Sequence, residues 1–345
     1  MTANTMKRVE VRTGEIVLVD APIPTPLPGE VQVETTVSGV CGSDTHASHG
    51  RHPFVPLPYF PGHEAVGVIR QVGDGVTGLS VGDRVTVEPT LPCWDCKMCT
   101  TGRSNICENL RFFGCGYDQG GMADFFTIPA NRIHQIPSDL DDFQAALIEP
   151  LSTPVHAVRL SGGVKNKAVV IIGSGTIGLM VLAAAKHAGA RRIVVTDMLP
   201  SKLEKAMKVG ADATVAATVT DPVAAIRAEL GESADVVFDC VAIQSTVDQA
   251  LKLAMKGGTV MIVGVPEKDV VVPLPQIQDL QMRIQGSATY MPEDYEQAIE
   301  IIRAGGVTSE EFITNHFSLE EVSAAFAASS SGLEVKVVVT ARSTK

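Results

Sequence analysis

From the start of the chain to about Glu149, short apolar or β-branched runs alternate with breaks made of glycine, proline and aspartate. The clearest runs cover residues 30–37, 65–72 and 84–87. Short runs at this spacing are typical of β-strands joined by loops. We therefore predict a loop-rich, all-β unit here, with the proline-rich stretch 21–29 as a loop between two strands.

From about Leu151 the pattern changes to an apolar run followed by a run with helical period. This order repeats, and it predicts a parallel sheet covered by helices. A further helix is expected near residues 294–304 and a last strand over 334–340, and the pattern leaves open which domain holds that strand. The other predicted strands are 168–172, 192–196, 236–240 and 259–263, and the other predicted helices are 176–188, 201–209 and 245–253.

One apolar stretch, residues 168–185, carries no charge over 18 residues, which is the lower limit for a membrane-spanning helix. Three glycines and a serine interrupt it after a β-branched run. That interruption favours a buried strand, a tight turn and a buried helix. We therefore predict no membrane segment.

The composition is typical of a globular protein of about two domains, with 345 residues, 45% of them hydrophobic and 19% charged. The 39 acidic and 28 basic residues give a formal net charge of −11. This balance disfavours a nucleic-acid or anionic-membrane partner and favours small-molecule chemistry. The N-terminal residues lack the apolar core and cleavage site of a secretory signal, so we expect a cytoplasmic protein.

A cluster of cysteines has the spacing of a metal site. Closely spaced thiolates suit tetrahedral Zn²⁺, whereas residues so near in sequence form disulfides poorly. Four thiolates leave no open coordination position, so we predict a structural zinc, with an iron–sulfur cluster as the alternative. The spacing is Cys-x2-Cys-x2-Cys-x7-Cys, formed by Cys93, Cys96, Cys99 and Cys107.

A second candidate metal site is spread along the chain. Each residue has an ordinary explanation when taken singly, as a small buried thiol, a core histidine or a helix-terminal carboxylate. Together they supply sulfur, nitrogen and oxygen ligands, the mixture that a catalytic zinc takes when one position stays open for water or substrate. The candidates are Cys41, His63, Glu64 and Glu149.

A glycine-rich turn follows the predicted strand 168–172 and precedes an apolar helix. In that context Gly-x-Gly-x-x-Gly permits a tight turn, close approach of the backbone to a pyrophosphate and close helix packing. Asp197 ends the next predicted strand, where a carboxylate accepts hydrogen bonds from the ribose hydroxyls of NAD and repels the 2′-phosphate of NADP. We therefore predict NAD as the cofactor. The turn comprises Gly173, Ser174, Gly175, Thr176, Ile177 and Gly178.

These motifs, in this order and approximate spacing, resemble those of the zinc-dependent medium-chain alcohol dehydrogenases over essentially the whole chain. The motif Glu149-Pro-Leu-Ser152 and the closing Gly332-Leu-Glu-Val-Lys336 resemble the polyol, or sorbitol-type, branch. The resemblance implies that Glu64 and Glu149 alternate in this chain between direct and water-mediated contact with zinc.

The resemblance implies an α/β fold made of a GroES-like, β-rich catalytic domain and a Rossmann domain with a doubly wound parallel sheet. Both ends of the chain, 1–150 and 285–345, then form the catalytic domain, and residues 151–284 form the inserted NAD-binding domain. The active site is expected in the cleft between the two.

The resemblance also assigns roles to single residues. Asp44 is expected to orient the zinc-bound His63, and Lys202 is expected to help hold the adenosine ribose. Tyr290 falls at the substrate pocket of sorbitol-type enzymes. The arginine that precedes this tyrosine in such enzymes is Thr289 here, which argues against a sugar-alcohol substrate.

The chemistry expected of such a site is hydride transfer from an alcohol bound to zinc, which lowers the pKa of the hydroxyl. We predict that Ser43 contacts the reacting hydroxyl and that the proton passes through the cofactor ribose to His46 and solvent. The alternative for Ser43 is a plain turn residue.

The predicted enzyme is therefore an NAD-dependent secondary-alcohol or polyol dehydrogenase with two zinc ions per chain. One alternative is a threonine-type dehydrogenase of amino alcohols or hydroxy amino acids, and a more distant one is a noncatalytic binding or structural protein. We also expect a homotetramer or dimer, with residues 270–274 as the better candidate interface and 262–265 as interior strand.

Overall fold

The computed structural model of the protein describes residues 5–50 and 55–341. Its strands are β1 (Thr5–Arg12), β2 (Glu15–Pro22), β3 (Glu30–Val40), β4 (Glu64–Val72), β5 (Arg84–Val87), β6 (Thr90–Leu91), β7 (Arg111–Phe112), β8 (Phe125–Pro129), β9 (Ile133–Gln135), β10 (Ala168–Ile172), β11 (Arg192–Asp197), β12 (Ala213–Ala216), β13 (Ala234–Asp239), β14 (Ala254–Ile262), β15 (Arg283–Gly286), β16 (Ile313–Ser318) and β17 (Lys336–Thr340).

The helices lie mostly in the middle and the C-terminal part of the chain. They are α1 (Gly42–Ser48), α2 (Lys97–Thr100), α3 (Asp142–Ala145), α4 (Ile148–Leu160), α5 (Thr176–His187), α6 (Pro200–Val209), α7 (Pro222–Leu230), α8 (Gln244–Leu253), α9 (Leu274–Asp279), α10 (Pro292–Arg303), α11 (Ser309–Phe312) and α12 (Val322–Ser330). Short 3₁₀ turns cover Ser104–Ile106, Ala130–Arg132 and Leu319–Glu321.

The first compact unit comprises Met1–Pro150 and Thr308–Lys345. Its main sheet has the order β16-β17-β3-β4-β5-β9, and β8 also pairs with β3. The alternating apolar positions of β3 and β4 are buried because both strands lie inside this sheet, with neighbours on either side. The last strand of the chain, β17, pairs antiparallel with β3, which answers the question that the sequence pattern left open.

The second unit comprises Leu151–Val307. Its six parallel strands have the order β12-β11-β10-β13-β14-β15. In order of appearance that is 3-2-1-4-5-6, the order of a dinucleotide-binding sheet. The inner strands are almost continuously apolar because helices cover both faces of such a sheet. β10, for example, is buried at every position.

The chain returns to the first unit later than the expected residue 285. Residues 283–286 form β15, which pairs in parallel with β14 at the edge of the second unit's sheet. Helix α10 then packs against α5 of the same unit. The second unit therefore extends to Val307, and the expected boundary at 284 and 285 is corrected to 307 and 308.

The uncharged stretch 168–185 folds as the sequence predicts. Strand β10 and the first ten residues of α5 share it, with the glycine turn between them. Among the described residues, the helices are too short or too polar to cross a bilayer.

Candidate active site and metal centres

The ends of two neighbouring strands bring together three of the predicted metal ligands. Cys41 follows β3 directly, and Glu64 opens β4 with His63 before it. These strands pair antiparallel with Gly39 opposite Glu64, so the end of β3 lies beside the start of β4. Ligand atoms of Cys41, His63 and Glu64 all lie within 4.8 Å of one another.

The fourth predicted ligand, Glu149, lies in the first turn of α4 and is buried, with 5% of its surface exposed. It is not a member of the group of three described above. Its negative charge nevertheless acts on the group, because it helps to raise the pKa of His63. Glu149 is therefore near the site, and Glu64 is the carboxylate placed with Cys41 and His63.

The electrostatics of His63 show that the site attracts a cation. Burial by itself would lower the pKa of this imidazole. The negative charges of Asp44, Cys41 and Glu149 outweigh burial and raise the pKa well above its ordinary value. The same potential favours a divalent metal ion, and the sulfur, nitrogen and oxygen donors are those of a catalytic zinc. The residues present therefore fit the predicted metal.

Asp44 lies beside this group, as the sequence resemblance implies. Its Oδ2 accepts a hydrogen bond from the backbone N–H of Cys41 at 3.0 Å, and its Oδ1 is 3.9 Å from Nδ1 of His63. The hydroxyl of Tyr59 donates to Oδ1 at 3.3 Å. Burial raises the pKa of Asp44 above its ordinary value, so this carboxyl depends on these donors for its charge.

A lysine of the closing motif, Lys336, also lies at this site, although the motif itself assigned it no role there. The ammonium of Lys336, at the start of β17, lies 2.6 and 2.8 Å from the two carboxylate oxygens of Glu64. Burial would lower the pKa of Lys336, but the charges of Glu64, Cys41 and Glu149 outweigh burial and raise it. One signal was present in the sequence, since a lysine directly precedes the apolar run 337–339.

Helix α1 carries both residues of the predicted proton relay. Ser43 and His46 are three positions apart, so they lie on the same side of the helix, which begins directly after Cys41. Both are half-buried. The helix therefore sets a hydroxyl and an imidazole one turn apart, directly after the predicted ligand Cys41.

The four-cysteine lobe, residues 93–107, places its thiols together as predicted. Neighbouring sulfur atoms are 3.4, 3.5 and 3.8 Å apart for the pairs Cys93–Cys107, Cys96–Cys99 and Cys96–Cys107. A tetrahedral zinc with bonds of about 2.3 Å requires sulfur–sulfur distances of about 3.8 Å. Backbone N–H groups of Cys99 and Glu108 lower the pKa of Cys96 to about 6, whereas burial raises the pKa of Cys99 to about 12, so Cys96 is the first of these two to form the thiolate that a metal needs.

A buried ion pair lies next to the lobe. The guanidinium of Arg132 pairs with Glu88 and donates to Thr90 at 2.8 Å. The same group lies 5.6 Å from the ring centre of Trp94, inside the lobe. Arg132 therefore links Trp94 of the lobe to Glu88 and to Thr90 in β6.

In the second unit, the glycine turn has the shape that the motif predicts. Gly173 has φ = +91°, a conformation that favours glycine, and a Cβ at Gly178 would lie 1.8 Å from the carbonyl oxygen of Gly173. The space over Gly175 is open, with nothing within 4 Å of a Cβ built there. Thr176 and Ile177 begin α5, so the open position faces a helix N-terminus.

Asp197 ends β11 beside this turn. Its carboxylate accepts hydrogen bonds from the backbone N–H groups of Ser174 at 2.8 Å and Leu199 at 3.0 Å. Lys202 lies in the first turn of α6, which follows directly. The acidic residue and the glycine turn are thus held together, as the predicted ribose site requires.

Tyr290, the expected substrate residue, belongs to the second unit and is only 1% exposed. Its ring packs edge-on against Tyr295, with the ring centres 5.3 Å apart. Thr289 before it has φ = +52°, an uncommon conformation for a residue with a Cβ.

Two family profiles match this chain. Residues 27–138 match the alcohol dehydrogenase GroES-like domain, and residues 176–304 match the zinc-binding dehydrogenases. The chain is also similar to sorbitol dehydrogenase of Bos taurus, with 34% identity over 332 residues that cover 94% of this chain and 93% of the relative.

Solved structures agree with these matches. A zinc-binding dehydrogenase of Sinorhizobium meliloti 1021, bound to NADP, superposes with a TM-score of 0.92 at 33% identity and covers 97% of this chain and 99% of its own. An alcohol dehydrogenase of Escherichia coli CFT073, complexed with NADH, has a TM-score of 0.91 at 28% identity, with 98% and 99% covered.

These similarities confirm the predicted fold class and the predicted enzyme class. The protein is an oxidoreductase that acts on CH–OH donors. The chain therefore belongs to the zinc-dependent medium-chain alcohol dehydrogenase family, in its polyol dehydrogenase branch.

Proposed function

We propose that the protein oxidises a secondary hydroxyl of a polyol or related alcohol, with NAD as the hydride acceptor. The observation that carries the proposal is the group of the half-buried Cys41 and the buried His63 and Glu64, whose ligand atoms lie within 4.8 Å of one another. The similarity to sorbitol dehydrogenase supports a polyol rather than a simple alcohol.

Cys41, His63 and Glu64 would hold the catalytic zinc, with Glu149 nearby as a second carboxylate. A bound zinc supplies a Lewis acid that favours the ionised form of a substrate hydroxyl. Asp44 fixes the end of β3 by accepting the N–H of Cys41, and its negative charge acts on His63. Asp44 therefore holds Cys41 through a hydrogen bond and acts on His63 through its charge at 3.9 Å.

In this proposal the Ser43 hydroxyl takes the proton of the substrate hydroxyl while it gives up its own, which reaches solvent by way of His46. The ribose of a bound cofactor would link the two side chains. Their placement one turn apart on α1 supports this order, because the hydroxyl lies two residues from Cys41 and the half-buried imidazole one turn beyond. A relay of this kind contributes about 10²–10⁴-fold to a rate.

The proposed preference for NAD rests on Asp197. Its carboxylate is held at the glycine turn by two backbone N–H groups, where a second phosphate on the ribose would meet a negative charge. A structural relative carries NADP, so the preference of this chain needs its own measurement.

We assign the four-cysteine lobe to a structural zinc, which makes two zinc ions per chain with the active-site metal. Four thiolates close the coordination sphere, so this metal holds the lobe and does no chemistry. Thiolate ligands of this kind suit a reducing compartment, which supports a cytoplasmic location.

We further propose a homotetramer or dimer that uses the surface around Val271. This side chain is 78% exposed, and Leu274 nearby is 67% exposed. Val272 packs against the core of the second unit instead. Of the predicted interior strand 262–265, only Ile262 lies in β14, inside the sheet between β13 and β15, and Val265 is 56% exposed. Val271 is therefore the better position at which to test the interface.

Steady-state assays with a panel of polyols, amino alcohols and 3-hydroxy amino acids test the proposed reaction. We expect the highest kcat/KM for a polyol with NAD, and lower values for the amino alcohols and hydroxy amino acids. Highest activity with a 3-hydroxy amino acid would favour the threonine-type alternative, and faster reaction with NADP would overturn the proposed role of Asp197.

A further inference from the structure

We propose that Lys336 and Gly39 form a seat for the Glu64 carboxylate, and that Lys336 competes with the active-site metal for this ligand. Lys336 is then a positioning residue that makes Glu64 a displaceable ligand beside the fixed ligands Cys41 and His63. The inference rests on the proposed metal at this site.

The ammonium of Lys336 is held by three acceptors. It donates to both oxygens of Glu64 at 2.6 and 2.8 Å and to the carbonyl oxygen of Val40 at 3.3 Å. Lys336 is 4% exposed and Glu64 is 1% exposed, so water does not replace these bonds. Because all three N–H groups of the buried ammonium donate hydrogen bonds, its position is fixed. Its positive charge attracts the carboxylate of Glu64 to that position.

Gly39 supplies the space in which the carboxylate lies. A Cβ at this position would be 1.7 Å from Oε2 of Glu64 and 2.9 Å from its Cδ. Gly39 pairs with Glu64 of β4 on one side and with Val338 of β17 on the other. Strand β17 is also the strand that carries Lys336. The carboxylate therefore lies over a bare stretch of backbone that any other residue would fill.

The seat changes how strongly Glu64 binds a metal. Each oxygen already accepts a charge-assisted hydrogen bond, so metal coordination must compete with the lysine for the same negative charge. Lys336 also places a positive charge beside the metal group, which opposes a bound cation. Both effects weaken the contact of Glu64 with the metal, and the substrate oxygen can replace that contact more easily.

A purely structural ion pair makes a different prediction. If Lys336 only ties β17 to β3 and β4, its removal lowers stability and leaves the affinity of the site for metal unchanged or weaker. If Lys336 competes for Glu64, its removal makes the metal bind more tightly. The direction of the change in metal release separates the two roles.

The experiment uses the full chain with Co²⁺ in the active site, followed by its visible absorption and by its release to a chelator. We expect Lys336→Met to slow Co²⁺ release about tenfold and to alter the Co²⁺ spectrum as Glu64 coordinates more fully. Lys336→Arg keeps the cation and is expected to restore release close to the original rate. In a Glu64→Gln background, Lys336→Met should have no further effect on release.

Equal or faster release from Lys336→Met, or a slowing that persists in the Glu64→Gln background, would overturn the inference. A different result would contradict the proposed function itself. If Cys41 is not a ligand of the active-site metal, the Co²⁺ spectrum of Cys41→Ser will equal that of the original protein.

Gly39→Ala gives a second test that does not depend on folding of Lys336→Met. The added Cβ displaces the carboxylate from the lysine, so Co²⁺ release should slow here as well. Release from Gly39→Ala at or above the original rate would contradict the seat.

Discussion

The two metal groups of this protein are built in different ways. The four thiols of the lobe come from one window of 15 residues, Cys93–Cys107, and short loops bring them together. The active-site group takes Cys41, His63 and Glu64 from the ends of two strands, and its lysine is 272 positions from Glu64. A site of local origin is readable from spacing, whereas an assembled site depends on the fold.

Their surroundings differ in charge as well. Backbone N–H groups stabilise the thiolate of Cys96, and these hydrogen-bond donors carry no net charge. The active-site group is surrounded by full charges on Asp44, Glu149 and Lys336. The pKa values of His63 and Lys336 therefore depend on charged neighbours, whereas that of Cys96 depends on backbone donors.

The largest expected effect separates the two groups by function. Cys41→Ser should lower kcat/KM about 10³-fold or more, because a ligand of the Lewis acid is lost, while the midpoint of thermal unfolding changes little. Activity assays and calorimetry on the same preparation measure both. A variant with more than a tenth of the original activity would show that Cys41 is not a ligand.

The matching change in the lobe should affect stability. Cys96→Ser removes a thiolate from a closed site, and the metal's contribution to folding is lost with it. We expect the thermal midpoint to fall by about 5–10 °C. An unchanged midpoint together with lost activity would reverse the roles of the two groups.

The proton relay is the next largest effect. His46→Ala should lower kcat about 100-fold near neutral pH, and the deficit should shrink at alkaline pH as hydroxide takes the proton in place of the imidazole. A pH profile of kcat measures this. A deficit that is constant across pH would indicate that His46 positions the helix and does not transfer a proton.

Asp197 tests whether a locally readable motif also predicts specificity. Asp197→Ala should reduce the preference for NAD over NADP by about 10–100-fold, since charged hydrogen bonds to the ribose are lost. Asp197→Asn is the control, because an amide oxygen still accepts one of the two N–H groups that now bind the carboxylate. Unchanged discrimination in both variants would place the ribose elsewhere.

The smallest expected effect concerns assembly. Val271→Asp adds a charge at an exposed position and should lower the mass seen by light scattering while the chain stays folded. A mass near 36.4 kDa for the original protein would contradict the proposed oligomer. An unchanged oligomer in the variant would move the interface to another surface.

Much of the molecule was predictable because its signals are local. The strands 84–87 and 168–172 appear with the predicted bounds, and the glycine turn and the cysteine window follow from spacing alone. Three features were not accessible. The pairing of Lys336 with Glu64 and the space over Gly39 arise from β17 lying beside β3, and the return to the first unit at Thr308 arises from β15 completing a sheet.

Zinc analysis of the purified protein and two variants tests the division into two metal groups most directly. We predict two zinc ions per chain in the original protein, and loss of one from Cys41→Ser, which keeps its fold but not its activity. Cys96→Ser should also lose one zinc, with a lower thermal midpoint. A single zinc in the original protein, or full zinc content in Cys41→Ser, would contradict the account.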